Sequence, residues 1–387
     1  MKEKLRPVLG NKKWVIYIMA FLVGIAMGII NPLTTTHMEE SNVEGIWIGI
    51  ISSAYFFLMA FGSIFTDRKM RGKDVRKVIM IGLLMTSVGS AIFPWVSLNL
   101  IRLVLMCFMG AGISFFMVGI QTALHNLSDD NNRATVSGLY SLCFAAGFIV
   151  SSFTGPMIYE RVKWVAFAAG SVCLIAVLIM ISLMFNKGLL TIPLRPKGAV
   201  FNKIILALLG SFTYGVSETT VVCMYPLFLL RQNYQLSVIG YGLSIFVVGS
   251  IIGIMPFSYI ADKVGRRKSM AVCVVIAILS IIGIVFADNF AIRMVFSFIA
   301  GFVIGPIYPL SMALAVQDLC KEEIPSGTAL FTFYYSFGAA AGPFSSSVLM
   351  NAFGNKQIFT VSLVLFVALI IYVFVDKKQS QQEPVAV

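Results

Sequence analysis

Apolar residues in this chain do not alternate with polar ones. They come in long, nearly unbroken runs, at 14–36, 45–66, 78–97, 100–124, 134–158 and 164–185, then at 204–230, 237–260, 269–287, 290–317, 326–350 and 357–375. A helix rises about 1.5 Å per residue, so a run of about 20 residues crosses a hydrocarbon core of about 30 Å. Barrel strands would alternate over about ten residues. Inside lipid only a helix or a closed barrel satisfies its own backbone. The pattern therefore predicts an all-α membrane protein with twelve transmembrane helices and short connections.

Composition agrees. Of 387 residues, 12% are charged and 58% hydrophobic, where a soluble domain has about a quarter charged. Such a chain cannot cover a water-facing surface, so the lipid bilayer is its predicted partner. The net charge of +12 would fit nucleic acid, but its distribution does not. Of 29 Lys and Arg residues, Arg102 and Arg293 fall inside spans. Only Arg161, Lys163, Arg231 and Lys356 lie on the side opposite the N-terminus. The remainder share the side of both ends, which predicts a multi-pass inner-membrane protein with cytoplasmic termini and no nucleic-acid partner. The first run exceeds the apolar core of a signal peptide. The six cysteines show no C-x-x-C spacing, and neither a metal site nor a cofactor is expected. No Walker sequence occurs, so ATP is not the predicted energy source.

The chain repeats itself. Pro32-Leu33 matches Pro226-Leu227, Asp67 matches Asp262, and Arg102 with Gly110 matches Arg293 with Gly301 at one offset of 191. Ser137-Gly138 matches Ser326-Gly327, and Gly155-Pro156 matches Gly342-Pro343. An ordered series of this kind predicts two pseudo-symmetric six-helix bundles, 1–185 and 204–387, joined by a cytoplasmic linker at 186–203 that carries Pro193 and Pro196. Parallel halves are a transporter architecture with the substrate site near the midplane.

The loop Asp262-Lys263-Val264-Gly265-Arg266-Arg267-Lys268 resembles the D-[RK]-x-G-R-R loop of the major facilitator superfamily. Its first-half copy begins at Asp67-Arg68 and carries Met70 in place of the glycine. The resemblance covers essentially the whole chain. It implies the major facilitator fold and a state-locking role for Asp67, Arg68, Asp262, Gly265 and Arg266; an enzyme is not expected, because one isolated Glu218 and two peripheral histidines supply no catalytic pair at one depth. Gly155-Pro156 resembles the core of the antiporter signature of drug-exporting members; that pair and Gly342-Pro343 are also the predicted helix bends.

Polar groups inside the spans are the candidates for chemistry. Glu218 is the only acid deep in any predicted span, where a charged carboxylate costs roughly 2.5–3.5 kcal/mol on insertion scales. Its repeat partner is Gly24, so symmetry does not account for it, and it is the predicted proton-coupling residue. Ser211, Tyr214, Glu218 and Tyr225 share one helical face. Cavity candidates are Tyr17, Asn31, Arg102, Ser114, Gln121, Tyr214, Tyr225, Arg293 and Tyr308, on the first, fourth, seventh and tenth spans, which line the cavity in the resembled family. His37 and His125 are placed at the membrane interface. Arg102 can instead snorkel to that interface, or the arginine pair can attract an anionic substrate group or partner Glu218.

These residues predict a monomeric secondary transporter that couples protons to the export of small amphipathic or drug-like molecules. The alternative is a proton symporter importing a small organic anion. A non-transporting membrane sensor on the same fold is a further reading, which the short ends and loops oppose.

Overall fold

The computed structural model describes residues 13–69, 73–127, 133–184, 200–317, 319–320 and 323–382. Among these residues it is helical with no strand. Helices α1 to α6 are Lys13–Glu40, Gly45–Lys69, Val75–Ile92, Asn99–Leu127, Arg133–Arg161 and Lys163–Met184. A seventh span joins α7 (Ile205–Thr219), one π turn (Thr220–Met224) and α8 (Tyr225–Leu230). Then follow α9 (Leu236–Val264), α10 (Arg266–Phe286), α11 (Phe290–Ile304), α12 (Ile307–Gln317), α13 (Ile324–Phe353) and α14 (Thr360–Gln382).

Counted as spans, with α7–α8 and α11–α12 each forming one, these are twelve. Eleven of them are long and apolar enough to cross a membrane. The other, α13, has 30 residues; Ser, Thr, Gly and Tyr dilute its hydropathy without shortening it. The predicted boundaries shift by a few residues, as at 326–350, which becomes Ile324–Phe353. Two predicted single helices are interrupted. Gly305-Pro306 separates α11 from α12, because proline removes a backbone donor and crowds the preceding turn. By contrast, α5 and α13 continue through Pro156 and Pro343 as single segments.

The helices form two compact units, Met1–Pro193 with Leu229–Ser244, and Leu194–Phe228 with Ile245–Val387. The linker expected at 186–203 lies outside the described residues up to 199; Phe201–Ile204 is a 3-10 turn. In the first unit α1 packs on α5 and α6, and α4 packs on α2 and α3. In the second, α7 packs on α13 and α14, the same pairing one repeat later.

Small residues set these distances. A Cβ on Gly24 would lie 2.0 Å from the Phe144 carbonyl oxygen, and one on Gly215 would lie 2.3 Å from that of Tyr335. A Cβ added to Gly110 or Gly301, a repeat pair, would lie 2.1 or 2.0 Å from the Tyr55 or Phe246 carbonyl oxygen. In lipid, where apolar side chains gain little by mutual burial, such close backbone approach is what holds helices together.

Candidate functional site

In the second unit, Glu218 stands in the last turn of α7, two residues before the π turn. Single π turns inside α-helices are frequent at functional sites. Its carboxylate has two phenol partners. Tyr214, one turn earlier, donates to Oε1 at 3.1 Å, and Tyr335 of α13 donates to Oε2 at 2.7 Å. Tyr308 of α12 packs its ring 5.3 Å from both of the other tyrosine rings, and Phe331 lies 5.2 Å beyond it. Three elements thus bring one carboxylate, three phenols and a phenyl ring together. Close packing of α13 on α7 makes this possible, since Gly338 meets the Phe212 carbonyl oxygen and Gly342 that of Val216.

An ionised carboxylate only accepts hydrogen bonds, and two phenol hydrogens suit it. Once protonated, the acid needs an acceptor for its own hydrogen, so one phenol has to turn. Proton occupancy and side-chain geometry are therefore linked. Glu218, Tyr214 and Tyr308 came from sequence; Tyr335 did not, because in its span only the repeat matches and the Gly342-Pro343 bend stood out in the sequence. Asking which helix the repeat sets against α7 would have pointed to it.

The other predicted cavity residues are placed differently. Tyr225 is buried, with its hydroxyl 2.7 Å from Ser297 Oγ and its ring against Phe228 and Phe359, apart from the tyrosines around Glu218. In the first unit Tyr17 and Asn31 are buried on α1. Ser114 donates to the Ala111 carbonyl at 2.7 Å, and its hydroxyl fills the space a Cβ on Gly62 would need. The side chains of Gln121, Asp67 and Arg68 lie outside the described residues. Gly155 leaves ordinary contact distance to Ile29, 3.4 Å from an added Cβ, whereas Gly342 is tightly packed.

The two arginines follow one pattern. Arg102 Nε donates to the Val96 carbonyl at 2.8 Å. Arg293 Nε donates to Ile284 at 3.0 Å, and its Nη2 donates to Ala287. Both arginines are buried. Val96 and Ala287 are themselves one repeat apart, so each arginine returns to the end of the helical segment before it, where carbonyls lack intrahelical partners. This geometry gives the anion-import alternative no support.

In the basic loop, Gly265 has φ of +101°, a turn between α9 and α10 that a side chain would strain. Arg266 donates to the Ala313 carbonyl at 2.8 Å and to Gln317 at 3.1 Å, a cation at the C-terminal end of α12. Asp262 is exposed. His37, expected at the membrane interface, is instead buried. The helix continues to Glu40, so His37 sits one turn inside its end, against Phe93, Tyr159 and Phe167.

The model of the Major Facilitator Superfamily matches residues 16–203 and 207–386, both halves of the repeat. The chain belongs to that superfamily. It is 24% identical over 355 residues to the uncharacterized MFS-type transporter YfkF of Bacillus subtilis (strain 168), covering 89% of this chain and 90% of the relative. It is 22% identical over 364 residues to YcaD, an uncharacterized MFS-type transporter of Salmonella heidelberg (strain SL476), covering 90% and 92%. Among solved structures it resembles a bacterial homolog of the human lysosomal transporter Spinster, with TM-score 0.76, 13% identity and coverage of 95% and 96%. It also resembles the nucleoside transporter NupG, with TM-score 0.75, 13% identity and coverage of 96% and 100%. At those identities the structures show the fold. This superfamily member is a multi-pass membrane transporter, and its site is to be sought among polar side chains within the spans.

Proposed function

We propose that this transporter exports small amphipathic molecules in exchange for protons, with Glu218 as the proton carrier. It works as a monomer in the inner membrane, with both termini in the cytoplasm. One observation carries the reading: the deep carboxylate is held by two phenols from different helices, and a third tyrosine packs on both. An unpaired acid at this depth is costly; here its partners favour the ionised form yet can release it. A proton arriving on Glu218 turns one phenol away, and a solute with a polar group and an apolar body can compete for the same phenols and rings. Moving one charge through the membrane potential supplies about 2.3 kcal/mol per 100 mV. The positive-inside distribution of Lys and Arg supports the orientation.

The test uses everted membrane vesicles energised to carry a pH gradient and challenged with a panel of amphipathic drugs and metabolites. At least one compound is expected to dissipate the gradient through the wild-type protein and not through Glu218→Gln. The same compound should still bind the purified Gln variant. Wild-type-like, proton-driven movement by Glu218→Gln would remove Glu218 from the mechanism.

A further inference from the structure

A second group of titratable side chains lies in the first unit, where the end of α1 meets the loop at 41–44. His37 Nδ1 is 2.8 Å from the Tyr159 hydroxyl, and that hydroxyl is 2.9 Å from Glu40 Oε2. The same carboxylate oxygen receives Lys163 Nζ at 2.8 Å. The chain is graded from water inward. Lys163 and Glu40 have side chains 56% and 22% exposed, Tyr159 is fully buried, and His37 is 7% exposed. Phe93 and Phe167 close around the imidazole, with ring centroids 6.2 and 5.8 Å away. The hydrogen-bonded route to His37 therefore runs through Tyr159.

A phenol has one hydrogen, and Tyr159 stands between two groups that can each take it. With Nδ1 protonated, the imidazole donates to the phenol oxygen and the phenol donates to Glu40. With Nδ1 bare, the phenol turns its hydrogen to the ring and Glu40 must carry a proton to keep its contact. The two patterns hold the same protons and differ in where one of them sits, on His37 in the first and on Glu40 in the second. We infer that His37, Tyr159 and Glu40 form a second proton-binding site, filled from the water beside the loop at 41–44. A proton from water binds the Glu40 carboxylate and is passed to the Tyr159 oxygen, while the phenol's own hydrogen moves to His37 Nδ1. Glu40 returns to carboxylate, Tyr159 keeps one hydrogen, and His37 gains one.

The surroundings tune this exchange. Burial opposes a charge on the ring most, Arg102 of α4 and Lys163 of α6 oppose it too, and Glu40 of its own helix and the Pro94 carbonyl favour it. Glu39 stands outside the relay, because Arg231 takes both of its oxygens at 2.7 and 2.9 Å. The site is independent of Glu218, which belongs to the other unit, and it stands or falls without the export reading.

The chain has two histidines, so His125→Gln leaves one imidazole to observe. Full-length protein with ring-labelled histidine in lipid nanodiscs is titrated by nitrogen NMR between about pH 3 and about pH 8. His37 is expected to change protonation state in the acidic part of this interval, because burial and the facing cations oppose its charge. Glu40→Gln should move the midpoint to lower pH by about one unit, as loss of a neighbouring opposite charge does. Tyr159→Phe, which preserves the ring packing, should abolish the hydrogen-bond signature at Nδ1 and shift the midpoint as well. A ring held in one neutral tautomer throughout, or a midpoint that neither variant moves, would overturn the proposal.

Discussion

Replacing Arg293 with methionine keeps a long apolar stem but removes the donors that reach Ile284 and Ala287 at the end of α10. A hydrogen bond from a charged group contributes about 1.5–3 kcal/mol, and a buried carbonyl left without a partner adds its own penalty. Two such bonds, at a residue only 2% exposed, put the loss at about 3 kcal/mol at the low end of that range. For a folding unit of this size that lowers the melting temperature by about 6–12 °C. Arg102 has a single such bond, to Val96, and its Nη1 is buried with no partner. Arg102→Met should therefore cost less than half as much, because it also removes a desolvated donor. The assay is thermal unfolding of detergent-purified variants followed by fluorescence, with transport measured per folded molecule. The expected order is wild type, then Arg102→Met, then Arg293→Met, with transport by the folded fraction retained. Unchanged stability combined with lost transport would refute the argument and return the arginines to the substrate path.

Two further outcomes are expected. Arg266→Ala frees the end of α12 from the α9–α10 turn, so it should slow transport several-fold while substrate binding survives, as should Asp262→Asn; normal transport by both would leave the loop a topology signal alone. Single cysteines at Ser41 and Asn355 should react with an impermeant maleimide added to intact cells and one at Ser380 should not, and the reverse labelling would invert the proposed orientation.

The repeat was visible in the sequence as an ordered series of matches, and in the structure it has a mechanical meaning. Gly110 and Gly301 each touch a backbone carbonyl in the helix beside them, and those carbonyls belong to Tyr55 and Phe246, again 191 residues apart. A residue that must be small for two backbones to meet leaves a recognisable trace, because no other side chain fits. Glu218 was legible for the opposite reason: it breaks the symmetry, standing where the other half has Gly24.

Hydrophobic length alone determined that the chain is helical and membrane-spanning, because lipid leaves a backbone few ways to satisfy its own hydrogen bonds. The family followed from the repeat and the basic loop, since both are local patterns read without knowing which helix touches which. Partnership across helices was decided only by tertiary structure. Tyr335 is 117 residues from Glu218, and Tyr159 is 122 from His37; no periodicity within one helix carries those distances. Arg102 and Arg293 aligned with cavity residues on a helical wheel, yet their flexible stems carry the guanidinium groups back to the carbonyls of the preceding helical segment. A wheel gives the direction of a Cβ, while the far end of a long side chain goes where the nearest unsatisfied backbone group draws it.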